Sequence, residues 1–263
     1  MRMWAGLALA SVVVLSGCKP DAAVRSGALI DKTGVKREKQ PANSLDPATL
    51  GTVTGMVRFV GKAPERVRID MSQDAACSMS ATPNYSEQYV VNGGKLANVY
   101  VYVKSGPAAA MNIDTTQTSP VVLDQVGCQY RPHVIALQQG GEVEFRNSDP
   151  TMHNVHTMPT VVGNDVVDVS QGPKGAPQVR VFAAPEVMIP VRCNNHPWMN
   201  AFINVAPTPF FAVTGTDGSF ALTGLPPGTY TIGAVHEKMG EQDMQVVVSA
   251  KKAGKAEFSF SQK

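Results

Sequence analysis

The run Val191-Arg192-Cys193-Asn194-Asn195-His196-Pro197-Trp198-Met199 decides how this chain is to be read. Two residues separate Cys193 from His196 and two separate His196 from Met199. One tight loop could therefore aim a thiolate, an imidazole and a thioether at one point. Upstream, Asn147-Ser148-Asp149-Pro150-Thr151-Met152-His153-Asn154-Val155-His156 offers further imidazoles. These are the soft donors that suit copper, and two His, one Cys and a weak axial Met make the set used for one-electron transfer. Cys193 would end a strand, His196 would reach back from the turn, Met199 would open the next strand, and His153 would come from the other run. The metal would then join two loops across one end of a β-sandwich.

Working outward, the surroundings read as all-β. Charged residues make up 17% of the chain, and 23 Gly and 19 Pro sit among short Val-rich segments. The expected strands near the motif are Val121–Asp124, Val134–Gln138, Glu142–Arg146, Asn154–Thr157, Val179–Phe182, Val187–Arg192 and Ala201–Val205. Before them come Val53–Val60, Val67–Ile69, Tyr89–Asn92 and Ala97–Lys104, then a breaker-rich connection over Gly106–Pro120. After them come Ser219–Thr223, Thr229–Val235 and Gln245–Val248, divided by Asp217-Gly218 and Pro226-Pro227-Gly228 turns.

The two runs resemble the cupredoxins, the amicyanins in particular, in the Cys-x-x-His-Pro-aromatic-Met loop and in His-Asn-Val-His. The stretch Val134 to Asn147 is similar to that family's second and third strands, and the resemblance spans roughly Pro120 to Val205. It implies a Greek-key β-sandwich with one copper held by His153, Cys193, His196 and Met199. It also implies that Asn154 ties the ligand loops together and hydrogen-bonds the Cys sulfur. His196 is then expected at the surface end of the sandwich, with Pro197, Trp198, Met152 and Met158 as an apolar docking patch for a redox partner. A periplasmic dehydrogenase or a cytochrome c is the family-based partner.

Residue counting selects among copper centres. A binuclear centre needs two bridging thiolates in the loop, and positions 194 and 195 are both Asn. An oxidase or reductase needs a second centre of several His, whereas the spare His133, His156 and His236 form no His-x-His pair. Surface or local hydrogen-bonding roles are expected for these three, and no enzymatic activity. Cys77 and Cys128 are expected to form a disulfide worth about 4 kcal/mol, two buried thiols being the alternative.

The amino terminus bears on the compartment. Arg2, the apolar stretch from Trp4 to Leu15 and Leu15-Ser16-Gly17-Cys18 resemble the leader and lipobox of bacterial lipoproteins. That implies a signal peptide over 1–17, lipid on Cys18 and a membrane anchor, with Lys19 pointing to the outer rather than the inner membrane. Residues 18–50 read as a flexible tether. A formal net charge of +2 lacks the basic footprint of a nucleic-acid binder.

Thr214 to Ile232, with its Asp-Gly and Pro-Pro-Gly turns, resembles carboxypeptidase regulatory-like, transthyretin-type β domains. That family's opening Gly-x-Val strand and second Val-alternating strand occur far upstream, as Gly55-Met56-Val57 and Asn98 to Val103. The expected organisation is nested, with 51–106 and 207–263 forming one sandwich around a cupredoxin domain at 107–206. Two consecutive domains are the alternative. The expected function is single-electron transfer by a periplasm-facing lipoprotein. Copper storage or delivery, and an envelope binding module with a vestigial site, stand as alternatives.

Overall fold

A computed structural model describes residues 45–79, 83–113 and 117–262. The expected leader, Cys18 and most of the expected tether lie outside the described residues. The first strands and helices are β1 (Gly51–Phe59), α1 (Ala75–Ser78), β2 (Val91–Asn92), β3 (Lys95–Leu96), β4 (Tyr100–Ser105) and α2 (Ala108–Met111). A middle series follows as β5 (Val121–Gln125), β6 (Tyr130–Arg131), β7 (Val134–Gln138), β8 (Glu142–Asn147), β9 (His153–Thr157), β10 (Asp168–Gln171), β11 (Gln178–Val181), β12 (Glu186–Arg192) and β13 (Asn200–Ala206). The chain closes with β14 (Phe211–Val213), β15 (Ser219–Leu225), β16 (Gly228–His236), β17 (Gly240–Val248) and β18 (Ala253–Phe260). The fold is all-β, and among the described residues no helix is long and apolar enough to cross a membrane.

The outer strands build one sandwich. One sheet runs β15-β1-β3-β2 with β18 parallel to β1, and the other runs β14-β4-β16-β17. Alternation puts Val53, Val57 and Phe59 of β1 inward against Val101, Val103, Ile232, Phe258 and Phe260. Gly55 lets β18 approach, because a Cβ there would lie 1.7 Å from the Ala256 carbonyl oxygen and 2.5 Å from the Phe220 ring. The end of the expected tether belongs to this body, since Asp46–Thr49 forms a hydrogen-bonded turn and Leu45 packs on the core.

Strands β5 to β13 build the second sandwich, from sheets ordered β10-β9-β12-β13-β7 and β11-β8-β5-β6. Leu123, Phe145, Val155, Ile189, Val191 and Ile203 fill it. In β12 the pairing with β13 shifts register between Glu186 and Ile189, and Met188 there has φ 54°. This bulge resets the alternation so that Ile189, Val191 and then Cys193 turn inward. β4 pairs with β14 and β16, not with the second sandwich.

The segment after β1 departs most from the sequence expectation. Val67–Ile69 makes no strand, only a single bridge between Arg68 and Tyr85. More consequentially, Ile69, Met71 and Cys77, grouped by sequence with the first sandwich, pack into the core of the second. The β1–β2 connection has too many breakers and charges to join a sheet, and its few apolar groups find burial over the end of the neighbouring sandwich. Elsewhere the sandwiches meet through Tyr100, Tyr102, Val235 and Ala206, all buried.

Candidate metal centre

The loop after β8 is shaped by Asn147. Its side-chain amide donates to the Thr151, Gln171 and Gly172 carbonyls, and its Oδ1 accepts from Asp149 N–H. Asp149 in turn accepts from Gly127 N–H at 2.6 Å and Cys128 N–H at 2.8 Å, and meets His153 Nε2 at 2.8 Å. His153 opens β9, fully buried. The second loop closes on itself, with Cys193 N–H donating to Met199 O at 3.3 Å and Met199 N–H to His196 O at 2.9 Å.

Folding brings three donors together. His153 Nδ1 and His196 Nδ1 lie 2.9 Å apart, and Cys193 Sγ lies 3.6 Å from His196 Nδ1. All three residues are buried, and their ligand atoms fall within 4.8 Å of one another. Met199 lies buried in the same core cluster. Asn154 N–H donates to Cys193 Sγ at 3.3 Å, while the Asn154 side chain accepts from Asn194 N–H at 3.3 Å and donates to Asp168 at 2.9 Å. One asparagine thus spans both loops.

Each imidazole also meets a carboxylate. His153 Nε2 faces Asp149, and His196 Nε2 faces Asp74 Oδ2 at 3.1 Å. With the Nε2 protons donated outward, two Nδ1 lone pairs and a sulfur converge, an arrangement that only a cation relieves. Without metal a proton serves. Burial opposes the charge on His153, but hydrogen bonds to Asp149 and Cys193 outweigh it and raise its pKa to about 9. Burial likewise opposes the Cys193 thiolate, yet His153, the Asn154 and Asn195 amides and His196 bring it down to about 6. A preformed thiolate beside two oriented imidazoles fits copper by the chemistry of its donors.

His196 is not at the surface, contrary to the sequence expectation; it is 4% exposed. The covering group is the β1–β2 connection, whose Asp74 caps α1 and whose Cys77 forms a disulfide with Cys128. Cys77 Sγ lies 3.9 Å from His196 Nε2. Of the expected docking residues, Pro197 is exposed, while Trp198 is half-buried, with its Nε1–H donated to Cys128 O and its ring 5.1 Å from that of His196. Exposed Met152 lines a cleft of about 260 Å³ with Asp74, Asn195 and His196.

The spare histidines are mostly interior. His133 pairs with Glu237 at 2.7 Å, both side chains buried, and links the two sandwiches. His236 is 1% exposed and stacks on Tyr89, so neither has a surface role. His156 meets Asn194 at 3.1 Å. Sequence reasoning missed Asp74 and Asp149. Asp149 carried a readable signal, four residues before His153, whereas nothing local marks Asp74.

No protein-family model matches the chain, and no curated protein does. Among solved structures, a reduced Cu(I) amicyanin variant is 21% identical, covering 41% of this chain and 98% of its own, with a TM-score of 0.29. A copper-containing nitrite reductase from Thermus scotoductus is 20% identical, covering 57% of this chain and 28% of its own, with a TM-score of 0.31. A purple cupredoxin from Nitrosopumilus maritimus is 20% identical, covering 32% of this chain and 98% of its own, with a TM-score of 0.27.

Proposed function

We propose that this chain is a mononuclear copper protein that carries single electrons at the cell envelope, anchored through lipid on Cys18. The observation that carries the reading is the buried convergence of His153 Nδ1, His196 Nδ1 and Cys193 Sγ, each imidazole held from behind by a carboxylate. Bound there, copper would supply a couple between Cu(I) and Cu(II). His153, Cys193 and His196 would hold it, with Met199 as the weak fourth donor. Asn154 N–H steadies the sulfur, and Asp149 and Asp74 keep both rings from turning.

With His196 covered, the exit route in this reading runs through Trp198. Its indole packs on the His196 ring and, with Pro197, Glu87 and Asn200, lines a cleft of about 240 Å³. A redox protein, by analogy a periplasmic dehydrogenase or cytochrome c, would dock there briefly, and the chain would turn over no substrate itself. Its place would be the periplasmic side of the envelope, on the outer rather than the inner membrane. The sandwich of β5 to β13 is proposed as an insertion into the other one.

Burial of His196 favours a second reading, in which the copper is stored or delivered rather than cycled. Copper titration followed by visible absorption and voltammetry separates the two. Electron transfer predicts an intense thiolate band, a reversible one-electron wave, and loss of the band in Cys193→Ser. Tight Cu(I) uptake without a band supports storage, and no uptake leaves an envelope binding module.

A further inference from the structure

Asp74 lies in the β1–β2 connection, far from both ligand runs in sequence, yet its carboxylate completes the surroundings of one proposed ligand. Oδ1 accepts from Ala76 N–H at 2.8 Å and Cys77 N–H at 3.0 Å, which orients the carboxylate, and Oδ2 faces His196 Nε2 at 3.1 Å. Cys77 is bonded to Cys128, and Cys128 N–H donates to Asp149, which holds His153. The chain of contacts is therefore closed: His196, Asp74, Cys77, Cys128, Asp149, His153. The disulfide joins the two carboxylates that grip the two imidazoles.

Resting on the copper reading above, we propose that Asp74 is a positioning residue that acts through His196 to favour Cu(II) over Cu(I). A carboxylate on the far nitrogen of a ligating imidazole fixes the ring's orientation and makes it a stronger donor. The more highly charged ion gains more from a stronger donor. The carboxylate comes from a segment that also shields the His196 edge, so one device sets the couple and narrows the approach to His196 to the cleft beside Met152.

The test compares Asp74→Asn and Asp74→Ser with the wild-type chain. Asn and Ser both cap helices well, so α1 is kept while the charge facing His196 is removed. Both variants are expected to keep the thiolate band. Cu(II) affinity is expected to fall about tenfold more than Cu(I) affinity, which for one electron raises the potential by about 59 mV. In the metal-free protein the His196 Nε2–H resonance, slow to exchange in the wild type, is expected to exchange fast in both variants. Equal affinities and an unchanged potential in variants that bind copper overturn the inference and leave the copper reading standing. A wild-type chain that takes up no copper overturns both.

Discussion

Asp149 accepts from two backbone amides of the Cys128 turn and meets His153 Nε2, so three donors depend on one carboxylate whose side chain is 8% exposed. The carboxyl is held below its usual range: burial opposes the charge, and His153 and the Cys128 and Gly127 amides more than compensate. Asp149→Ala strands those donors and is expected to cost about 3 kcal/mol in urea denaturation. On the proposed copper reading it is also expected to weaken binding at least about tenfold in a copper titration, because His153 loses its orientation. At this scale much of the site was legible. Cys193, His196, Met199 and His153 stood out because soft donors rarely occur at such spacing by accident. Asp149 lay inside the same run, but a carboxylate before a histidine has many ordinary uses. Asp74 had no local signal, since its role exists only once another part of the chain reaches it.

Among the elements, β1 shows how a single glycine decides a pairing. β1 lies between β15 and β18, and the space at Gly55 is taken by the Ala256 carbonyl and the Phe220 ring. Gly55→Ala is expected to destabilise the protein by about 3 kcal/mol, since a backbone carbonyl has little room to give. Gly172→Ala, with nothing within 4 Å, serves as the control and is expected to stay within about 0.5 kcal/mol of wild type. Denaturant midpoints measured side by side check both. Strands with alternating Val were readable, as in β1, β4 and β16. Ala253–Phe260 was not assigned, because Ala, Lys, Glu and Ser occupy its outer positions, Gly254 weakens the inner face, and only Ala256, Phe258 and Phe260 mark it. Short β6 and β14 are held by their neighbours more than by their own composition.

Across the whole molecule, one buried histidine makes stability depend on pH. His236 Nδ1 accepts from Lys238 N–H, its Nε2 has no partner, and burial pushes its pKa down to about 4. The unfolded chain binds a proton here near pH 6.5, so the stabilisation is complete above that pH and is lost as pH falls toward 4, by roughly 3 kcal/mol. His236→Phe is expected to flatten that part of the stability–pH curve. Denaturant midpoints taken from pH 7 down to 4.5 check it, and an unchanged slope contradicts the assignment.

The sequence by itself determined the all-β class and singled out two runs whose soft donors, His153, Cys193 and His196, the fold brings together, because these depend on local alternation, turn chemistry and short spacings. Tertiary structure alone decided that His196 is buried rather than presented, that the Cys77–Cys128 bridge stands against it, and that Asp74 faces it from another segment. Those outcomes depend on where the β1–β2 connection finds burial for Ile69, Met71 and Cys77. Such a choice is made by the shape of the neighbouring sandwich and leaves no period in the residues that make it.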